Sequence, residues 1–428
     1  MQMALTEREQ AQSTTAPARQ PWRTALGIAA VTVVGTAAGI LRQGGAGALN
    51  TIWAEDGQIF LTQAVDKGAG AFTTSYAGYY HLVARIVAGI AAVLPASWAA
   101  ATLALGAALV TTLFAVAVYR LSGEYLPSPV ARLVVAAPVA LVPMSQGDVL
   151  NSPANLHWTG LYLLFWLLVS RPPTMTGKVL ACAGIVLVAG SDILTAIYVP
   201  LAAFIIWFHR DRYAVVKAVA FAVPFGLQVL GLLTGQSERE GLEPDPVMGV
   251  KGYVFRAIPN AFFGERWVGT QVNTRSLVFT GLALLVLAAV LLLAWRGFTT
   301  ARWWFALAAA VHSVGLYVLP VTLSGIATPR YNVAPALLLL VAVVSLLLPH
   351  ETGEGTPLAV FALLFAVVLV VNFRVGNARA DGPAWDDGLE SARVVCEQRP
   401  GGTVEIETPP LAAPGWHAIL PCDYVDRN

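Results

Sequence analysis

The chain has 428 residues, of which 57% are hydrophobic and only 12% charged, with a formal net charge of +1. Soluble domains carry roughly 25% charged residues, so an ordinary soluble fold is excluded and a polytopic membrane protein is implied. The near-neutral balance and the lack of a long Lys/Arg run argue against nucleic acid as a partner, and three cysteines are too few for a disulfide scaffold.

A helix needs roughly 20 apolar residues to cross the hydrocarbon core, fewer where it ends in polar loops. In chain order, eleven segments qualify: 24–41, 98–119, 133–144, 156–170, 179–190, 193–208, 214–234, 276–295, 303–320, 333–349 and 358–373. Those beginning at 133 and 179 are short and must borrow flanking polar residues or pack inside the bundle. The first follows a leader, residues 1–23, that carries Arg8, Arg19 and Arg23. GGAGAL after it faintly resembles a signal-peptidase site, but its apolar run exceeds the roughly 7–15 residues of a signal peptide. A retained anchor is expected, with the N-terminus in the cytoplasm.

Residues 79–95, YYHLVARIVAGIAAVLP, decide the orientation of everything after them. If they do not span, the cytoplasmic connections are VYRLSGEYLPSPVAR, SRPPTMTGK, HRDRYAVVK and RGFTTAR, with nine Lys/Arg in all, and the opposite short loops carry only Arg330. The positive-inside rule favours that arrangement. Residues 79–95 are then an interfacial or re-entrant helix on the outer side. Three regions share the extracytoplasmic face: a first loop at 42–97, a second at 235–275, and a C-terminal unit at 374–428. The last alternates in GGTVEIETPP, which predicts strands. It also holds Cys396 and Cys422, which are expected to pair in an oxidising compartment. Cys182 reads as a small packing residue within a span.

This topology collects Glu55, Asp56, His81, Arg85, Asp148, Asn151, Asn155, His157, Asp192 and Arg330 on one face, many of them at helix ends. Acids near membrane depth are costly unless they have a partner or line a wet cavity. The bland alternative is a set of helix caps and turns, since GSD and QGD suit both roles. Glu55 and Asp56 in TIWAEDGQIF could likewise be favoured by a helix dipole alone. Trp53 and the aromatics of FTTSYAGYYHLVAR surround them, a composition suited to rings or a lipid at an interface.

WAEDGQIF, with GAGAF downstream and the outer-surface helix YYHLVARIVAG after it, resembles the first external loop of the C-type (GT-C) glycosyltransferases. The eleven-span all-α architecture, with the N-terminus in and the C-terminus out, is similar too, and the Ala/Val/Leu/Gly-rich composition is like that of actinobacterial members that build cell-wall arabinan and mannan. The resemblance implies an enzyme of the bacterial plasma membrane, without a required cofactor. It would move a sugar, arabinosyl or mannosyl, from a polyprenyl-phosphate donor to an envelope glycan or glycolipid, with inversion. It implies Asp56, followed by Gly57, as the general base, with Glu55 as alternative or orienting acid. Such transfer also needs a cation for the departing phosphate. Arg330 in TPRYN fits best because arginine forks onto phosphate oxygens, and Arg85 and Arg266 are second choices. His81, Asp148, Asn155, His157 and Asp192 remain for the acceptor or for orienting the base. No clear metal-ligand set is visible, although Asp56 with Asp148 leaves a divalent ion open. The rival reading is a transporter or lipid flippase; such proteins show internal repeats and interrupted helices, and no repeat is found.

Overall fold

The computed structural model describes residues 21–234, 243–350, 355–376, 378–412 and 415–427. The leader through residue 20, with Arg8 and Arg19, and the start of the second loop at 235–242 lie outside the described residues. Each of the eleven apolar segments is helical: α1 (Pro21–Leu41), α4 (Ala99–Leu121), α5 (Pro129–Leu141), α7 (Leu156–Val169), α8 (Met175–Ala189), α9 (Val199–His209, entered through a 3-10 turn at Ile193–Tyr198), α10 (Arg212–Leu233), α14 (Thr274–Trp295), α15 (Trp303–Ser324), α16 (Val333–Leu346) and α17 (Thr356–Val371). Among the described residues, five helical stretches are long and apolar enough to cross a membrane: 96–124, 212–233, 274–295, 303–324 and 329–346. The protein is a multi-pass, mostly helical membrane protein.

Polar residues at the segment ends set several boundaries. Thr174 and Asp211 accept backbone N–H groups of Gly177 and Ala214, and Asn273 with Ser276 forms a reciprocal capping box. α7 and α16 are buried along their whole length and form the centre of the bundle. The outer helices invert the soluble pattern, with Leu230 55%, Leu285 68% and Val370 75% exposed. Such a contiguous apolar exterior belongs against lipid.

Between α1 and α4 the first loop folds into a π-helical turn at Asp56–Leu61, the short helix α2 (Thr62–Lys67) and α3 (Leu82–Val93). With 12 residues α3 is about 18 Å long, well short of a roughly 30 Å hydrocarbon core. It buries Val83, Ala84, Val87, Ala88 and Ala91 and leaves Ile86, Ile90 and Val93 exposed on the other side. The second loop is largely helical, with α11 (Pro246–Gly252), a π turn at Tyr253–Ala257, α12 (Ile258–Phe263) and α13 (Glu265–Val268).

The tail contains α18 (Trp385–Gln398), the antiparallel pair β1 (Thr403–Thr408) and β2 (Trp416–Pro421), and α19 (Cys422–Val425). Cys396 and Cys422 are joined by a disulfide, and Cys182 is free. The tail shares a core with the first loop, with Ile52, Phe60 and Leu61 against Val404, Ala418 and Leu420. Ala54 N–H donates to Pro409 O at 2.8 Å, Trp385 Nε1 to Ala96 O at 2.8 Å, and the Tyr424 hydroxyl to Ala91 O at 3.1 Å. Gly57 is where the tail presses on the acidic turn. A Cβ there would sit 3.1 Å from Thr408 Cγ2 and 3.2 Å from Ile52 Cγ2, so a side chain would push the tail away from the acidic turn.

Candidate active site

Glu55 and Asp56 occupy one turn but meet different surroundings. Asp56 is 1% exposed. Its Oδ1 accepts the Ala154 N–H at 2.7 Å, and the Ser152 hydroxyl bonds the same carboxyl. Burial pushes the Asp56 pKa up to about 7, against the lowering pull of Arg379, Ala154 and Ser152. Glu55 turns the other way, and its Oε1 accepts from Arg330 Nη1 at 2.9 Å. The Glu55 side chain is 9% exposed and that of Arg330 31%, so the pair is buried at its carboxylate and partly open at its guanidinium.

Arg330 comes from the turn Pro329–Asn332, which leads into α16. The hydroxyl of Ser145 bonds Pro329 O, and so ties this turn to the segment before α6 (Gln146–Val149). Burial alone would lower the Arg330 pKa, but Glu55, Asp148 and Tyr79 outweigh it and hold the guanidinium above its ordinary value. Asp148, half-buried in α6, is raised by burial and lowered by Arg330. Asn155 fixes the α6 end by donating to Asp148 O at 2.9 Å and to Ser152 Oγ at 3.0 Å.

A second group adjoins the first. His157, one residue into α7, meets Asp192 with Nδ1 to Oδ2 at 2.6 Å, and Asp192 is itself fully buried and caps Leu194 N–H at 2.7 Å. A carboxylate on Nδ1 fixes the imidazole's rotamer and leaves Nε2 as the ring's other polar face. The His81 ring lies 5.4 Å from that of His157, 4.1 Å from Tyr79 and 5.1 Å from Phe60. Burial first, then His157 and Arg85, pushes the His81 pKa well below the ordinary histidine range, so it is neutral at pH 7. The ring path continues from His157 to Trp158 at 4.6 Å and to Tyr331 at 4.8 Å, beside Arg330. A run of packed rings thus links the His157–Asp192 pair to the Glu55–Arg330 pair.

The remaining expected residues lie outside this geometry. Arg85 is 2% exposed and spends its guanidinium on Tyr80 O and Gln63 Oε1 at 2.8 and 3.0 Å, over the Phe60 ring. Arg266 donates to Arg374 O at 3.2 Å, on the exposed side of α13. Asn151 ties to α1 through Gly39 O at 3.1 Å. Arg379 was not singled out from the sequence. It is 2% exposed, stacks over Trp53 at 4.3 Å, and donates to Gly147 O and Asp148 O at 2.8 and 2.7 Å. Burial lowers its pKa to about 10, with Asp56, Asp148 and Glu55 opposing. No periodicity or motif in the tail marks it, because its partners are more than 200 residues away in the chain. Among the described residues, no group of three or more His, Cys, Asp or Glu is arranged to hold a metal ion.

An apolar cavity of about 640 Å³ lies nearby, lined by Phe72, Tyr80, Leu82, Val186, Val223 and Leu227, among others. Tyr80 lines this cavity, and its chain neighbours Tyr79 and His81 belong to the ring cluster.

No family model matches the chain, and no curated protein does. Among solved structures, the chain is similar to the cryo-EM structure of the mycobacterial arabinofuranosyltransferase AftD, at 14% identity and a TM-score of 0.42 over 91% of this chain and 32% of that one. The chain spans about a third of that protein's length.

Proposed function

We propose that the protein is a membrane glycosyltransferase, which moves a sugar from a polyprenyl-phosphate donor to a hydroxyl of a cell-envelope glycan or glycolipid on the extracytoplasmic face of the plasma membrane. The observation that carries this reading is the Glu55–Arg330 pair, which ends the ring cluster with a partly exposed guanidinium. The donor phosphate takes the place of Glu55 on Arg330, through the fork that suits phosphate as well as carboxylate. Release from the pair leaves Glu55 as an unneutralised carboxylate next to the sugar's C1. The acceptor oxygen then forms its bond to C1 from the face opposite the phosphate, the C1–O–P bond breaks with its electron pair on phosphate, and the acceptor proton passes to Glu55. One displacement inverts the anomeric centre, and phosphate needs no acid to leave.

Asp56 serves this arrangement from behind. Both of its hydrogen bonds run within the protein and it is 1% exposed, so it anchors the turn that aims Glu55. His157, fixed by Asp192, offers Nε2 to the acceptor, and the apolar cavity beside Tyr80 has the lining for the prenyl chain. The test is turnover by the purified protein in lipid nanodiscs, with polyprenyl-phosphoryl pentoses and hexoses and an oligosaccharide acceptor. A lengthened glycan is expected; its absence with every donor would remove the reading.

A further inference from the structure

We propose that a second site, behind the turn that carries Arg330, binds the phosphate headgroup of an anionic lipid. A cavity of about 790 Å³ lies between α11, the turn Tyr253–Ala257 and the loop Gly325–Ala327. Its polar lining includes Lys251, Arg256, Asp245 and Gln271. Asp245 already accepts the Met248 N–H at 2.9 Å, so it acts as the cap of α11. The two cations and one acid leave the cavity with a formal excess of one positive charge.

Arg256 is the strongest indication of an anionic ligand. It is 8% exposed, and its guanidinium donates to the backbone oxygens of Ala327 and Thr270 and meets the Tyr317 hydroxyl, all of them neutral partners. Its buried Nε meets no hydrogen-bond acceptor among the described residues, although the Tyr317 hydroxyl approaches the same group. The ion pairs among the described residues are His157–Asp192, Arg171–Asp211 and Glu55–Arg330, so among the described residues neither Arg256 nor Lys251 has a carboxylate partner. A buried guanidinium without a counter-charge is costly, and phosphate supplies the missing anion in a geometry that arginine favours.

The rest of the lining says what carries the phosphate. Val247, Val272 and Ile326 line the cavity and are 58%, 51% and 43% exposed, which suits a hydrocarbon chain better than a soluble anion. The cavity also begins at Gly325, where the long apolar helix α15 ends, which is the depth of lipid headgroups. Arg256 holds Ala327 O, three residues before Arg330, so an occupant bears directly on the turn that positions that arginine. The site requires no sugar transfer and stands or falls apart from the transferase reading.

The test uses the full-length protein in phosphatidylcholine nanodiscs, plain, with phosphatidylglycerol, or with a polyprenyl monophosphate, followed by native mass spectrometry of the retained lipids. Wild type is expected to retain one more anionic lipid than Lys251→Gln or Arg256→Gln, with occupancy about fivefold lower for the exposed Lys251 variant. Phosphatidylcholine retention should not change. Preference for the polyprenyl phosphate identifies the donor class as the occupant, and preference for phosphatidylglycerol identifies a bilayer lipid; both support a phosphate site. Equal retention of anionic and zwitterionic lipid by wild type, or wild-type retention in Lys251→Gln whatever Arg256→Gln does, would overturn it.

Discussion

The two ends of the central helix α7 carry charge in opposite ways. At its C-terminal end Lys217 Nζ bonds the last carbonyls, Leu168 O and Ser170 O, and Arg171 pairs with Asp211 at the surface, with side chains 26% and 44% exposed. The helix dipole favours both cations, but only Arg171 is solvated, since Lys217 is 3% exposed and held by the carbonyls alone. At the N-terminal end three acids and two arginines meet His157–Asp192 in a mostly dry space, and most of their pKa values are displaced. One end carries a single buried cation on helix carbonyls and a solvated ion pair; the other gathers five charged groups and a His–Asp pair out of water, the kind of cost a fold carries at a candidate functional site.

Substitutions that probe the N-terminal end should act on transfer, and those at the other end should not. The largest effect is expected for Arg330→Gln, with turnover down roughly 100- to 10,000-fold, since it removes the charge that meets the departing phosphate. A loss confined to KM would make Arg330 a binding group only. Asp56→Asn probes the anchor through stability. Asp56 has a folded pKa of about 7, against an ordinary value near 3.8. Below about pH 4 the carboxyl is protonated in both folded and unfolded chains. Between about pH 4 and 7 only the unfolded chain ionises, so folded stability falls as pH rises, and above that the penalty is constant. The wild type should therefore lose a few kcal/mol relative to Asp56→Asn over that window, read as diverging melting curves at pH 5 and 8. Parallel curves would mean that Asp56 is ionised throughout.

Gly57→Ala should cost about 1–3 kcal/mol, because its Cβ crowds Thr408 and Ile52, and limited proteolysis should release the tail sooner. An unchanged melting temperature would show that the turn and tail give way freely. The smallest effect is expected for Arg171→Gln in the solvated ion pair, with turnover and melting temperature indistinguishable from wild type. A large drop in turnover there would erase the difference between the two ends.

Apolar runs made the helices legible, since a long Leu/Val/Ala segment has one satisfactory conformation in lipid. The loop acids, His157, Asp192 and Arg330 were legible as residues at helix ends. Their pairing was not, because an acid at position 55 and an arginine at 330 leave no local trace of each other. The different surroundings of Glu55 and Asp56 were equally hidden. Adjacent residues on one turn look alike in sequence, and what separates them is the tail packed over Gly57 and the Ala154 N–H under Asp56. Arg379 was invisible for the same reason, and so was the tail's merger with the first loop, whose alternating strand pattern promised only a small separate unit.

Glu55→Gln tests the central claim most directly. The substitution keeps the size of the side chain and its reach to Arg330 but cannot take a proton. Turnover of a polyprenyl-phosphoryl sugar by the variant in nanodiscs is expected to fall roughly 100- to 10,000-fold, with donor binding and melting temperature retained. Full turnover by Glu55→Gln would contradict the assignment of Glu55 as the base.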